Sequence, residues 1–316
     1  MELKMKSIKG MTLALLMLIA AMAGCIGTED ETSDGAEEEK PAFLDASDAG
    51  YTYASDVDNH RSLMQDLCDI KTAASDSNWD EAKNIYTNGK NAEKSDGSFR
   101  TLAGFAAASG KNHNYDTFYG QDGAIGAHIM AAMDGTGDFT GASDTVRYQG
   151  IAKLTANMGM VGYTIHELNA AVAKADAGNT DNDSGAPHNW DEGWAFFHGP
   201  DEHWSCSPAY TMKKRAADYG TETNGVSNAL AASEQAMVDG LAALQAGDKA
   251  GYDAATETVI KNIIITYSQA TLKYTMKMDN NESAAKYQAE GYAFWKTMEA
   301  YAAPYTDGCY NMAVHK

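Results

Sequence analysis

Metal-binding side chains are concentrated in one short segment of this 316-residue chain, between residues 188 and 203. Imidazole and carboxylate donors at this density suit iron, and they would also serve zinc. The segment therefore predicts a metal site. The donors are His188, Asp191, Glu192, His198, Glu202 and His203.

These residues also have ordinary structural explanations. Asn189 and Glu192 are spaced almost as a capping box, so Glu192 is alternatively the cap of a helix that begins near Trp190. His198 and His203 flank a Gly-Pro loop, where exposed histidines are common. Both explanations stay open at the level of the sequence.

A second pair of candidate ligands lies within a long predicted helix. His166 sits between a core-facing stripe and a row of small residues that includes Gly159 and Gly162. A glycine inside a helix costs about 1 kcal/mol relative to alanine, so we expect a neighbour to need that space. The alternatives are that His166 is a core histidine and that Glu167, on another face, is solvated.

The C-terminal third adds a carboxylate and two phenols. Glu290 falls in the middle of an apolar helical stripe, so it must be paired, protonated or bound to a cation. Tyr267 and Tyr274 are two helical turns apart and point the same way. Phenolates favour ferric iron, although core packing explains the same spacing.

Common catalytic signatures are absent from the sequence. It contains no His-Glu-x-x-His, no Cys-x-x-Cys, no phosphate-binding glycine loop and no Gly-x-Ser-x-Gly. The Glu-x-x-His pairs of di-iron bundles are missing as well. The sequence therefore specifies no nucleophile with its base.

The elements that must position these residues are helices. Strand-like alternation is scarce, the chain has five prolines, and apolar residues recur at spacings of three and four. We expect an all-α helical bundle. The predicted helices span residues 56–75, 78–88, 98–109, 122–133, 145–176, 190–198, 208–219, 224–246, 249–278 and 283–302.

A short internal echo indicates two pseudo-repeated helix-hairpin halves. Glu-Gly-Trp-Ala-Phe-Phe at residues 192–197 resembles Glu-Gly-Tyr-Ala-Phe-Trp at residues 290–295. Each copy follows a long apolar helix, so duplication would bring Glu192 and Glu290 toward one seam. Chance similarity is the alternative.

The N-terminus has the features of an exported lipoprotein. Lysines precede an apolar run, residues 11–22, that is shorter than the roughly 20 residues of a transmembrane helix. Met-Ala-Gly-Cys at residues 22–25 fits a lipobox, so residues 1–24 are a predicted signal peptide and Cys25 the predicted lipidation site. A cleaved signal with a chance cysteine is the alternative. We expect a lipoprotein on the outer face of the cytoplasmic membrane, in the periplasm or at the cell surface.

The rest of the chain divides into a tether and a folded domain. Residues 25–44 are mostly acidic and small, which predicts a disordered tether, and residues 45–316 are long enough to bury one large core. The formal net charge of −20 repels nucleic acid. Outside the cytoplasm cysteines can pair, and Cys206 and Cys309, both in loop-like sequence, are the predicted disulfide.

Five segments of the chain have distinctive motifs. They are Ile-Tyr-Thr-Asn-Gly-Lys-Asn at 85–91, His-Glu-Leu-Asn-Ala-Ala at 166–171, Trp-Asp-Glu-Gly-Trp-Ala-Phe-Phe-His-Gly at 190–199, Pro-Ala-Tyr through Lys-Lys-Arg-Ala at 208–216, and Glu-Gly-Tyr-Ala-Phe at 290–294. These segments resemble the low-iron-inducible periplasmic iron-assimilation proteins of algae, to which the diatom phytotransferrins are similar. The resemblance spans about residues 80–300.

This resemblance implies a helical, surface-exposed protein that binds ferric iron, together with carbonate, and helps to bring it into the cell. The lipobox departs from the algal mode of anchoring or secretion, and endocytosis would not be available to a cell with such a lipoprotein. The positions that match the family motifs are His166, Glu167, Asp191, Glu192 and Glu290.

Three hypotheses follow. In the first, a surface-anchored lipoprotein binds Fe(III) through Glu192, Glu290, His166 and Tyr267 or Tyr274, and passes it to an iron permease or reductase. In the second, a metal-dependent hydrolase or lyase uses His166 and Glu167 beside an aromatic cleft of Trp190, Trp194 and Tyr292. In the third, a metal-free adhesion or solute-binding module pairs Glu290 with a buried Lys or Arg.

Overall fold

The computed structural model describes residues 48–109, 114–279 and 282–303, and these are mainly helical, as the sequence predicts. The predicted signal peptide, the lipidation site Cys25, the tether and Cys309 lie outside the described residues. The helices are α1 (Asp58–Ser75), α2 (Trp79–Asn88), α3 (Leu102–Ala106), α4 (Asn114–Tyr119), α5 (Ala124–Asp134), α6 (Asp144–Lys153), α7 (Met160–Asp176), α8 (Ala186–Phe197), α9 (Pro208–Tyr219), α10 (Asn228–Ala246), α11 (Lys249–Lys277) and α12 (Ala284–Ala302).

The helices enclose two apolar clusters. One cluster includes the segment before α1 and the inner faces of α9 to α12, and the other includes α1 to α6. Helices α7 and α8 pack against each other and contribute side chains to both clusters. Polar residues on α7 and α8 therefore lie in the middle of the fold. None of the described helices has the length and apolar character needed to cross a bilayer.

The long helix predicted over residues 145–176 is interrupted. A π-helical segment, Leu154–Gly159, separates α6 from α7. The space left by the two predicted glycines is filled, because a Cβ on Gly162 would lie 2.5 Å from Ile125 Cδ1 and one on Gly159 would lie 3.1 Å from Leu102 Cδ2. The glycines let α3 and α5 approach this helix closely.

Gly162→Ala should lower the free energy of unfolding by about 1–3 kcal/mol, because the added methyl overpacks against Ile125. Urea denaturation measures the change. Gly291→Ala in α12 is the matched control, since its Cβ would meet Tyr274 Cβ at an ordinary 3.4 Å. We expect the control to be neutral or stabilising. Equal losses in both variants would contradict a specific role for the Gly162 gap.

Several boundaries differ from the predicted ones for local reasons. Helix α10 begins later than predicted because residues 222–227 form a hairpin, β1 (Glu222–Thr223) with β2 (Val226–Ser227), and Ser227 Oγ then caps α10. Helix α3 is shorter, since Thr101 caps it and Glu93 bridges to Phe99 upstream. Helix α8 begins four residues earlier than predicted, with a proline in its first turn. Helix α4 was not predicted.

The disulfide differs from the predicted pair. Cys206 bonds to Cys68, with a Cα–Cα distance of 5.6 Å, and not to Cys309. A 3₁₀ turn, Trp204–Cys206, presents Cys206 to the middle of α1. Loop-like sequence favours Cys309 as the partner of Cys206, and the sequence alone does not show that this turn packs on α1.

Candidate functional site

Helices α1, α7 and α8 bring five polar side chains together in what we call the carboxylate–imidazole cluster. Its centre is Glu192 Oε1, which accepts hydrogen bonds from His60 Nε2 at 2.8 Å and from His188 Nε2 at 3.1 Å. His188 and Glu192 are four residues apart on α8, so they share one face. The members are His60, Glu167, His188, Asn189 and Glu192.

A second carboxyl group completes the cluster. Asn189 Nδ2 donates to Glu167 Oε2 at 2.5 Å and to Glu192 Oε2 at 3.3 Å, so one amide links the two acids. The Glu167 carboxyl is also close enough to hydrogen-bond with that of Glu192. Two adjacent carboxylates repel each other unless a proton or a cation lies between them. The pair is therefore suited to a cation.

The cluster is electrostatically polarised. Burial acts to raise the pKa of Glu192, but the hydrogen bonds from His188 and His60 outweigh it and hold that pKa well below its ordinary value. The hydrogen bond to Glu192 raises the pKa of His188. Burial lowers the pKa of His60, with Glu192 acting against it. Glu192 is thus an anion, and His188 is the imidazole that most readily carries the compensating proton.

The cluster is only partly shielded from solvent. The side chain of His60 is 8% exposed, that of Glu192 12% and that of His188 23%. A small ion can therefore approach from the His188 side, while the deeper donors are shielded enough for charge interactions to be strong.

Aromatic rings and a cation form the inner wall beside His60. Phe196 packs edge-on against His60 at a centroid distance of 5.6 Å and stacks on Tyr163 at 3.9 Å. Arg100 donates from Nη1 to the Tyr163 hydroxyl at 3.1 Å and from Nε to Asn59 Oδ1 at 2.8 Å. His60 Nδ1 is buried and has no hydrogen-bond partner within the described residues.

Asp191 faces the other side of α8 and fastens the segment that precedes α1. Its carboxylate accepts hydrogen bonds from the Tyr51 hydroxyl at 2.8 Å and from the amides of Ala54 and Ser55 at 2.8 and 2.9 Å. Burial raises the pKa of Asp191 to about 6, although these hydrogen bonds act to lower it. With its oxygens engaged in this way, Asp191 fits a structural role better than that of a metal ligand.

Asp191 also connects to the cluster through one hydroxyl. Ser55 Oγ lies 3.1 Å from Asp191 Oδ2 and 2.8 Å from His188 Nδ1. If His188 is an imidazolium, it donates to Ser55 from Nδ1 and to Glu192 from Nε2, while Ser55 donates to Asp191. This chain orients the His188 ring toward Glu192.

The structure separates the predicted ligands into different neighbourhoods. Glu167 and Glu192 are together in the cluster, and His166 packs beside Phe105 with ring centroids 5.6 Å apart. Tyr267 is buried and donates to Asn157 Oδ1 at 2.8 Å. Glu290 is buried near Lys153 and Tyr274 and shares no described partner with Glu192.

Three of the alternative explanations are wrong. Glu192 does not cap α8, because the helix begins at Ala186 and Glu192 lies well inside it. Glu167 is not solvated, since it is only 6% exposed. His198 is not an exposed loop residue, because its ring is buried between Trp194 and Trp204, with centroid distances of 5.1 and 5.6 Å.

The aromatic cleft of the hydrolase hypothesis does not form. Trp190 and Trp194 are fully buried, and their indole nitrogens donate to the carbonyl oxygens of Met237 and Asp48. Tyr292 instead donates to Asp138 Oδ2 at 2.7 Å. The two tryptophans are core residues, so they offer no surface to a substrate.

Sequence reasoning missed His60. This residue lies on the buried face of α1, in register with Leu63, Leu67 and Ile70. A histidine in an otherwise apolar stripe is a detectable signal, because a buried imidazole needs a polar partner. The identity of that partner, Glu192, depends on how α1 packs on α8 and cannot be obtained from local sequence.

The cluster has suitable donors but not the geometry of a formed metal site. Across residues 48–109, 114–279 and 282–303, no three His, Cys, Asp or Glu side chains are arranged to hold a metal ion. Here the metal-binding groups are hydrogen-bonded to one another, and the imidazole N–H groups donate to the carboxylate oxygen of Glu192. A cation would have to replace those protons.

One comparison with known proteins gives a match. The family model Fea1, described as low iron-inducible periplasmic protein, matches residues 42–302. This range contains all five residues of the carboxylate–imidazole cluster. Searches of curated proteins and of solved structures return no match.

Proposed function

Because this chain belongs to the family of low iron-inducible periplasmic proteins, we propose that it binds ferric iron at the carboxylate–imidazole cluster and serves iron assimilation. The observation that carries this proposal is the convergence of two imidazoles on one oxygen of Glu192, beside the carboxyl group of Glu167. Carboxylate oxygens suit a hard trivalent cation, and imidazoles are good iron ligands.

Iron binding exchanges protons for metal. In the metal-free arrangement, Glu192 Oε1 accepts hydrogen bonds from the Nε2–H groups of His60 and His188. Ferric iron needs deprotonated ligands, so its binding releases protons to solvent. The imidazole rings and carboxylates would then have to reorient around the ion, which would approach from the more exposed His188 side.

The proposal also includes a carbonate ion bound with the iron and the delivery of the iron to a transporter. A carbonate bound with the iron, as the family resemblance implies, would find its countercharge in Arg100, whose charge acts on His60. We further propose that a lipid at Cys25 anchors the protein on the outer face of the membrane. The anchored protein would pass iron from the membrane surface to a permease or a reductase.

Iron affinity should fall as the pH is lowered through the pKa of His188, which lies above the ordinary value for histidine. The pKa of His188 is raised, so at lower pH the imidazolium competes with iron for Glu192. Each proton released makes the affinity change about tenfold per pH unit. Calorimetric titration with ferric nitrilotriacetate and bicarbonate, in two buffers of different ionisation enthalpy, measures both the affinity and the protons released.

His188→Gln is the informative variant in this titration, since it keeps a polar side chain but cannot carry the proton. We expect it to bind iron more weakly and to release fewer protons than the wild type. The same titration with the wild type corrects for the pH dependence of the chelator. Identical proton release by the two proteins would contradict the proposed exchange.

A further inference from the structure

A second polar site lies away from the carboxylate–imidazole cluster, in a cavity of about 100 Å³ between α1, α6, α9 and α11. Four basic side chains line it, although the chain as a whole carries a net charge of −20. The volume exceeds the roughly 10–15 Å³ that one water needs, so the cavity admits a small polyatomic ion. We call it the basic pocket, and its cations are Lys71, Lys153, Lys214 and Arg215.

Arg215 is the buried member of the pocket. Its side chain is 5% exposed, and its Nη2 pairs with Asp218 Oδ2 at 2.8 Å. Its Nε and Nη1 are also buried, and they have no hydrogen-bond partner within the described residues. A guanidinium with two unsatisfied buried donors is costly unless an acceptor binds there.

The lysines add charge that the pocket's own acids do not balance. Among the described residues, Lys71 and Lys153 have no ion pair, and Lys214 lies over the Tyr210 ring at 5.2 Å. The acids nearby are Glu290, which acts on Lys153, and Asp218, which Arg215 shares with Lys273. Positive charge is therefore in excess.

The environment of Lys153 destabilises its charged form. The pKa of Lys153 is lowered to about 8, chiefly by burial and also by the charges of Lys71, Lys214 and Arg215, while Glu290 acts to raise it. A bound anion would relieve this repulsion and raise the pKa. The start of α9 adds to the positive potential in the pocket. Its N-cap Ser207 lines the cavity, and a helix N-terminus favours negative charge.

From these observations we propose that the basic pocket binds a small oxyanion of the phosphate type. Such an ion has enough acceptor oxygens for the guanidinium and several lysines at once. The size of the cavity favours the free inorganic ion over an organic phosphate ester. This site is independent of the proposed iron site, so each can fail without the other.

Calorimetric titration of inorganic phosphate into the iron-free protein tests the proposal. We expect saturable binding of one phosphate per chain. Lys153→Gln should weaken it about tenfold or more, since a charge-assisted hydrogen bond to the anion is lost. Lys213→Gln is the matched control, because Lys213 lies next to Lys214 in sequence but outside the pocket, over the Trp204 ring.

Further arms identify the ligand and separate the two sites. Sulfate and bicarbonate test other oxyanions, and glycerol 3-phosphate tests a phosphate ester. Glu192→Gln should bind phosphate as the wild type does. Arg215→Gln tests the buried guanidinium, and Lys214→Gln replaces it if that variant does not fold. Absence of saturable phosphate binding, or equal weakening by Lys213→Gln and Lys153→Gln, would overturn the proposal.

Discussion

Glu192→Gln should lower the affinity for ferric iron by about 100-fold or more, whereas Glu290→Gln should leave it nearly unchanged. Loss of outer contacts to a metal ligand typically costs 10–100-fold, and loss of the ligand itself should cost at least as much. Glutamine keeps the size of the side chain but removes the negative charge that both imidazoles contact. The two acids occupy the same position in similar sequence motifs, so each variant controls for the other.

Equilibrium dialysis against ferric nitrilotriacetate with bicarbonate measures both affinities. Circular dichroism of each variant shows whether the helical fold is retained. If Glu290→Gln abolished iron binding as well, the two acids would act on one metal ion. The separation of their neighbourhoods in the structure would then not describe the iron-bound protein.

Removal of the Cys68–Cys206 disulfide should lower the free energy of unfolding by about 2–5 kcal/mol. The bond joins residues 138 positions apart, and closing so long a loop removes much of the entropy of the unfolded chain. Cys68→Ser and Cys206→Ser should be equally destabilised, and a reducing agent should lower the stability of the wild type to their level. Urea denaturation measures all three.

Cys309→Ser is the control for the disulfide and should have wild-type stability. Peptide mapping without reduction should recover Cys68 linked to Cys206, with Cys309 as a free thiol. A Cys206–Cys309 peptide, or a stability loss confined to Cys309→Ser, would contradict the pairing. It would support instead the pair that loop-like sequence predicts.

The helical framework could be predicted from the sequence because the residues that determine it are close together in the chain. The apolar stripe of α7 has a clear helical period, and Gly162 signalled a close approach that Ile125 makes. The burial of Glu290 also followed from its position in such a stripe. These conclusions required no knowledge of which helices are neighbours.

Only part of the carboxylate–imidazole cluster could be predicted from the sequence, because its composition depends on tertiary contacts. Glu192 and Glu167 were both candidates, but His60 is distant in sequence and joins them only because α1 packs against α8. The similarity between residues 192–197 and 290–295 also predicted, wrongly, that Glu192 and Glu290 lie together. Glu192 has His188 one turn before it, whereas Glu290 has Lys286 at the equivalent position, so the similar motifs do not make similar sites.

The phenols illustrate how periodicity alone overstates a site. Tyr267 and Tyr274 do share one side of α11, where both pack near Phe294, with centroid distances of 6.0 and 5.4 Å. Burial raises the pKa of each, which opposes the phenolate that ferric iron would need. We therefore expect iron bound at the cluster to show no visible tyrosinate charge-transfer band.

X-ray absorption at the iron K-edge of the ferric-loaded wild-type protein tests most directly whether the carboxylate–imidazole cluster binds the metal. We expect one iron per chain, a first shell of oxygen and nitrogen atoms, and outer-shell scattering from the two imidazoles of His60 and His188. The imidazole signal should disappear in a His60→Ala, His188→Ala double variant. A protein that retains no iron, or a loaded protein with no imidazole scattering, would contradict the proposed site.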